Sequence, residues 1–171
     1  FEIVFLSANN NYAKLVQQAK EFKAKNILIK NKIFYERAKK SLRKSKTKVY
    51  SGDVSITNII SKKIDYTMAA IVGVAGLQPT IDAIKISKTV ALANKESIIC
   101  GWEILSKFTK RYKTKIVPID SEHFSIMELT KNVKDDEVEE IIITASGGPF
   151  LNTSQNKLKN IKPKQAINHP N

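Results

Sequence analysis

Strand-like and helix-like stretches alternate along this chain, and that alternation restricts the available folds more than any other feature. Phe1–Ser7 predicts a strand. Tyr12–Lys25 carries Leu15, Val16, Ala19 and Phe22 at helical spacing. Asn26–Lys30 predicts a second strand, Ile33–Ser45 a basic amphipathic helix, and Lys48–Ser51 a third strand. Asp53–Ser61 follows as a helix with Asp53 as its N-cap candidate. Thr67–Val72 is expected as a buried strand and Leu77–Lys85 as a helix that tolerates Pro79 in its first turn. Thr89–Ala93 predicts a strand, Ser97–Tyr112 a long helix and Lys115–Ile119 another strand. Such a rhythm argues for an α/β fold, a parallel sheet with helices on both faces.

The chain changes character near residue 119. Phe124–Leu129 predicts a helix and Val133–Glu139 an acidic connection. Glu140–Ala145 predicts a strand that feeds a Ser-Gly-Gly turn, and the lysine-rich stretch Leu158–Ile167 runs on to His169. Two domains are therefore expected, 1–119 and 120–171, the second the start of an α+β unit. The first residue is Phe1 and opens directly into a strand, while His169-Pro170-Asn171 stops without a closing element. Both ends look cut, so an interior piece of a longer protein is expected.

Composition narrows the function classes. At 42% hydrophobic residues a packed core is expected. No signal peptide is visible, and the longest apolar stretch, Met68 to Leu77, is half the length a bilayer needs. The single cysteine, Cys100, excludes an internal disulfide framework, fits a reducing interior, and is expected to pack on a helix. The net charge of +13 invites a nucleic-acid reading. Against it, only Arg37, Arg43 and Arg111 supply the planar fork that phosphate and base readers favour. The many lysines spread over helix faces, so neither nucleic acid nor membrane is expected as a partner.

In a parallel sheet, ligands lie beyond the carboxyl ends of the strands. Those ends carry Ser7-Ala8-Asn9-Asn10-Asn11, Gly73-Val74-Ala75-Gly76, Asn94-Lys95-Glu96-Ser97, Asp120-Ser121-Glu122-His123 and Ala145-Ser146-Gly147-Gly148. In an extended segment Asp120 and Glu122 can point the same way, and paired carboxylates suit a hard cation such as Mg²⁺ or Mn²⁺. The alternative is a solvated turn, or a helix start capped by Asp120. His123 could support such a metal from behind. Gly73 and Gly76 admit a ligand close to the backbone, or else serve tight strand–helix packing. Lys95 can bind a substrate oxygen or phosphate, and Asn94 and Glu96 a cofactor's ribose or amide; a capped helix start explains the same residues. Ser146 with Gly147 and Gly148 has the make-up of an anion nest or of an ordinary turn. His169, before Pro170, is expected in a loop. Trp102, on the long helix, is expected in core or interface packing.

Taken together, Ala69–Leu77, Leu92–Ser97, Val117–His123, Ser146–Phe150 and His169–Asn171 resemble, in order and spacing, the 1-deoxy-D-xylulose 5-phosphate reductoisomerase family. The resemblance implies a Rossmann-like NADPH-binding domain over 1–119 and the start of a catalytic, metal- and substrate-binding domain over 120–171. It implies that Asp120 and Glu122 bind Mg²⁺ or Mn²⁺, and that Lys95, Ser121, Glu122, Ser146 and His169 contact a small phosphorylated sugar. Lys95, Asp120 and Glu122 would be the catalytic residues. Asn11, Gly73, Asn94 and Glu96 would line the NADPH site. The family commonly carries Gly-Lys-Asn where Asn9-Asn10-Asn11 stands here, so only Asn11 matches cleanly. The implied reaction is isomerisation and NADPH-dependent reduction to 2-C-methyl-D-erythritol 4-phosphate, in a bacterial cytoplasmic homodimer. The implied glycine-rich loop and third metal carboxylate lie outside 1–171, so this piece alone is expected to be inactive. Rival readings are another two-domain NAD(P)-dependent oxidoreductase and a non-catalytic fragment.

Overall fold

A computed structural model describes residues 1–144 and 148–168. Two compact units divide the chain, Phe1–Phe124 and Ser125–Asn171. In the first, β1 (Phe5–Ala8), β2 (Asn26–Ile29) and β3 (Lys48–Ser51) pair in parallel, in that order. A second parallel sheet joins β4 (Ile64–Ala69), β5 (Ser87–Leu92) and β6 (Lys115–Pro118), also in sequence order. The six strands expected over 1–119 thus form two three-stranded sheets.

Helices flank both sheets and account for the apolar spacing. Helix α1 (Tyr12–Glu21) buries Leu15, Val16 and Ala19 against Ile27 and Ile29 of β2. The basic stretch after it breaks into a 3-10 turn, Lys32–Phe34, and α2 (Tyr35–Ser41), which adds Ala38 to the same core. The second core gathers Ile81 and Ile84 of α4 (Leu77–Ile86), Val90 of β5 and Leu105 of α5 (Lys95–Tyr112). Each such aliphatic chain, removed from water, contributes about 1.5–3 kcal/mol. Gly101 carries a non-helical φ of −141° inside α5, and a Cβ there would press on Leu77.

Several expectations need correction. The helix expected over Asp53–Ser61 is the short α3 (Ile56–Ile59), capped by Ser55, whose side chain accepts from Thr57 N. Asp53 is instead in an exposed pair with Lys30 at 3.2 Å. The buried strand expected over Thr67–Val72 lies at Ile64–Ala69, and Tyr66, Met68 and Val72 are exposed. Its ladder with β5 stops at Ala69, because the chain must turn there to reach α4. Cys100 is exposed on α5, and Trp102 is not in the core, since the helix's inward stripe runs through Ser97, Gly101 and Leu105.

The second unit begins within α6 (Ser121–Thr130) and continues through a 3-10 turn at Asp135–Glu137, then a 3-10 turn at Gly148–Phe150 and the short helices α7 (Gln155–Leu158) and α8 (Pro163–Ile167). Glu140–Thr144 is not a strand: Ile141, Ile142 and Ile143 are exposed and no strand pairs with them among the described residues. Apolar β-branched residues favour extension, but a strand requires a hydrogen-bonded neighbour. Ala145 of that expected strand lies outside the described residues.

Candidate active site

Parallel register brings three of the polar strand ends together. Ala69 of β4 lies beside Leu92 of β5, and Leu92 beside Pro118 of β6. Two further bonds extend the ladder past the strands: Ala93 N donates to Ala69 O at 3.0 Å, and Ile119 N donates to Leu92 O at 3.1 Å. The Gly73 turn, Asn94-Lys95-Glu96 and Asp120-Ser121-Glu122 therefore leave one sheet edge side by side. Asn11 leaves the carboxyl end of the other sheet, where it caps α1 by accepting from Lys14 N at 3.1 Å.

Gly73 has φ 76° and ψ −175°, a backbone conformation essentially restricted to glycine. Among the described residues nothing beyond its chain neighbours lies within 4 Å of the place where a Cβ would stand, so the backbone there is open to an approaching group. Gly76 has the opposite surroundings. A Cβ at Gly76 would overlap both the Ile71 carbonyl oxygen and the Asn94 side chain, so this glycine serves packing.

Asn94 is 1% exposed and caps α5, accepting from Ser97 N at 2.6 Å. Its amide nitrogen donates to Gly73 O at 2.8 Å and to Ile71 O. The capped helix start, one of the two sequence readings of these residues, is present, with the helix beginning at Lys95 rather than Ser97; the hold on the preceding strand's loop had no sequence signal. Ser97 Oγ is buried without a hydrogen-bond partner among the described residues. Lys95 is exposed and Glu96 half-buried in the first turn of α5.

The Asp120 segment departs from the expected alternation. Asp120 precedes α6 and Glu122 lies in its first turn, so helical geometry sets their relation. The cause is local: Asp120 Oδ1 accepts from His123 N at 3.0 Å, an N-cap bond that starts the helix. The same oxygen lies 2.6 Å from His123 Nδ1. Burial raises the Asp120 pKa and is the largest single influence. The His123 backbone N–H, its ring hydrogen bond and its charge together outweigh burial and bring the pKa below the ordinary 3.8. Glu122 is likewise lowered, first by the Ser121 hydroxyl, which donates to Oε2 at 2.8 Å, and also by the charge of Lys95; Asp120 opposes this. Lys95 and Asp120 are therefore both close enough to act on Glu122.

Two carboxylates that stay ionised at neutral pH, beside a lysine, fit one side of a hard-cation site. Among the described residues no group of three or more His, Cys, Asp or Glu could hold a metal. Ser146 and His169 lie outside the described residues.

Parallel strands flanked by helices, with a glycine turn and polar clusters at the strand ends, define a Rossmann-like α/β protein. The chain belongs to the 1-deoxy-D-xylulose 5-phosphate reductoisomerase family. The family model matches residues 1–101, and the model for that enzyme's C-terminal domain matches 116–171. The 1-deoxy-D-xylulose 5-phosphate reductoisomerase of Pelagibacter ubique is 49% identical across 100% of this chain, and that of the Wolbachia of Culex pipiens 46% across 99%. The chain spans 45% and 44% of those two proteins, less than half their length. The Zymomonas mobilis reductoisomerase in complex with NADPH superposes with a TM-score of 0.85 at 37% identity, over 99% of this chain and 45% of that one. A DOX-P reductoisomerase in complex with NADPH, fosmidomycin and magnesium superposes with a TM-score of 0.76 at 32% identity, over 99% of this chain and 45% of that one.

Proposed function

We propose that the polypeptide carrying this chain is an NADPH- and divalent-metal-dependent reductoisomerase. It converts 1-deoxy-D-xylulose 5-phosphate to 2-C-methyl-D-erythritol 4-phosphate in non-mevalonate isoprenoid biosynthesis. The observation that carries this reading is the register of β4, β5 and β6, which sets the Gly73 turn, Lys95 and the Asp120/Glu122 pair on one edge. Family membership and the NADPH and magnesium complexes of the neighbours support it.

Residues 1–119 serve as the NADPH-binding domain and 120–171 begin the catalytic domain. Asn11, Gly73, Asn94 and Glu96 line the cofactor side. Asp120 and Glu122 hold Mg²⁺ or Mn²⁺. Lys95, Ser121, Glu122, Ser146 and His169 contact the phosphorylated sugar. When bound, the cation supplies Lewis-acid polarisation and NADPH supplies hydride. Lys95 offsets negative charge that develops on a substrate oxygen. Ser146 and the neighbouring glycines anchor the phosphate, and that remote binding energy orients the reacting carbons. His123 keeps Asp120 ionised and fixes its rotamer. A cytoplasmic homodimer is the proposed form of the whole protein; among the described residues no helix is long and apolar enough to cross a membrane.

NADPH oxidation by the whole polypeptide, followed optically with 1-deoxy-D-xylulose 5-phosphate, tests this reading. Oxidation should require both the sugar phosphate and Mg²⁺ or Mn²⁺, and stop on chelation. Oxidation that persists without metal would point to a simple nicotinamide oxidoreductase instead.

A further inference from the structure

We propose that the amino end of the first sheet carries an anion site that binds a linear chain of three or more phosphates. The lysines are spread along the sequence, but the fold gathers several of them in one place. Lys20 lies in the last turn of α1 and Lys40 in that of α2, and Arg43 and Lys44 follow on the loop that leads to β3. With Ser41 and Ser45 they line a hollow of about 540 Å³. An adjoining hollow of about 460 Å³ shares Arg43 and Ser45 and adds Lys39 and Lys48. No acidic residue lines either one. Because the loop enters β3 at Lys48, the hollow lies at the opposite sheet edge from Asn11.

Charge decides the kind of ligand. Lys25, Lys30, Lys85, Lys88 and Lys131 each have a carboxylate partner. Among the described residues, Lys20, Lys40, Arg43 and Lys44 have none. Cations near a helix C-terminus are favourable in themselves, because that end carries about half a negative charge. The ends of α1 and α2 together offset about one positive charge, which leaves an excess of about three. A single phosphate group brings about two negative charges at neutral pH, and a chain of three or more brings enough to match. Arg43 supplies a planar fork for phosphate oxygens, and the lysines act as point charges. No aromatic ring lines the larger hollow, so nucleic-acid bases have nothing there to stack on. The loop is also held in place. Ser45 Oγ donates to Leu42 O at 2.9 Å and accepts from Thr47 N at 3.2 Å, and Thr47 Oγ1 donates to Ala24 O at 2.7 Å. Leu42 and Ala24 belong to the first core, so Arg43 and Lys44 project from a fixed backbone and little of it must be ordered on binding.

Titration calorimetry of tripolyphosphate into the whole polypeptide tests this, at fixed ionic strength and with NADPH in excess. Tripolyphosphate should bind at one per chain, and orthophosphate at least about tenfold more weakly. Lys40 and Arg43 are exposed, so their replacement leaves the core intact. Lys40→Gln and Arg43→Gln should each raise the tripolyphosphate dissociation constant about tenfold, the scale of one lost charge-assisted contact. Lys110→Gln removes an exposed lysine at the end of α5 and should change nothing. ATP separates the two sources of such a chain: affinity equal to that of tripolyphosphate assigns nucleotides to the site as well, and weaker affinity assigns inorganic chains. Wild-type protein that binds no tripolyphosphate, wild-type affinity in Arg43→Gln, or an equal loss in Lys110→Gln would overturn the inference. Tighter binding of single-stranded RNA than of tripolyphosphate would overturn it too, in favour of a polymer surface. A polypeptide that binds tripolyphosphate but not NADPH would contradict the cofactor reading and leave this site standing.

Discussion

His123 lies with Nδ1 2.6 Å from Asp120 Oδ1, and its backbone N–H donates to that same oxygen at 3.0 Å. One carboxylate oxygen is thus the helix cap and the histidine's partner at once. The couple fixes Asp120 as an ionised carboxylate, as the proposed cation ligand requires. Replacing His123 with Ala removes the ring contact and leaves the cap. Mn²⁺ affinity of the whole polypeptide should fall about tenfold, the scale seen when the partner of a metal ligand is lost. A titration of the variant that matches wild type would disprove the coupling.

The cap also has a pH signature. The folded-state pKa of Asp120 is below 3.8, after burial is outweighed by the His123 hydrogen bonds. A depressed carboxylate pKa adds stability above the unfolded value, and that stability is lost as pH falls through the folded one. Asp120→Asn keeps the cap acceptor but cannot ionise. Its melting temperature should lie below wild type at neutral pH, and the gap should close below about pH 3.8. A gap that stays constant from pH 7 to pH 3 would refute the sign.

Lys95 is the cation that helps hold Glu122 ionised. Lys95→Met should raise the pKa at which Glu122 titrates and increase the Michaelis constant for the sugar phosphate, roughly 10- to 100-fold by loss of a charge-assisted contact. NADPH affinity should change much less. Steady-state kinetics with each substrate varied in turn separate the two effects, and a loss confined to NADPH would reassign Lys95 to the cofactor.

The second core makes a stability prediction. Leu105 is fully buried against Ile84 and Val90. Leu105→Ala should cost about 2–5 kcal/mol, because the packed side chains around it collapse only in part. Lys88→Ala breaks an exposed pair with Asp65 and should leave the denaturation midpoint almost unmoved. Equal effects of the two changes on urea denaturation would contradict this core.

Where sequence and structure agree, one local pattern dominated. Lys48–Ser51 forms a strand over the expected residues, and Leu15, Val16 and Ala19 are buried as their spacing requires. The disagreements arise where two local signals compete. Asp53 and Ser55 are both good caps, and Ser55 also donates to the nearly buried Asp82 at 2.8 Å, a partner 27 residues away in sequence. Met68 to Val72 is apolar throughout, so sequence alone could not place the strand's end at Ala69. Asp120 and Glu122 are legible as a pair through strand alternation, but the alternative reading, a helix start capped by Asp120, is the one that forms. Lys95 near Glu122, and Asn94 on the Gly73 turn, depend on the register of neighbouring strands. The register is a tertiary property, and no spacing along the chain encodes it.

The most direct measurement is turnover of 1-deoxy-D-xylulose 5-phosphate by whole polypeptide bearing Asp120→Asn, taken with its NADPH dissociation constant. Loss of this proposed metal carboxylate should lower turnover roughly 1,000-fold, about 4 kcal/mol of lost charge stabilisation, while NADPH binds as before. Turnover near wild type in that variant would contradict the assignment of this strand edge as a metal-dependent active site.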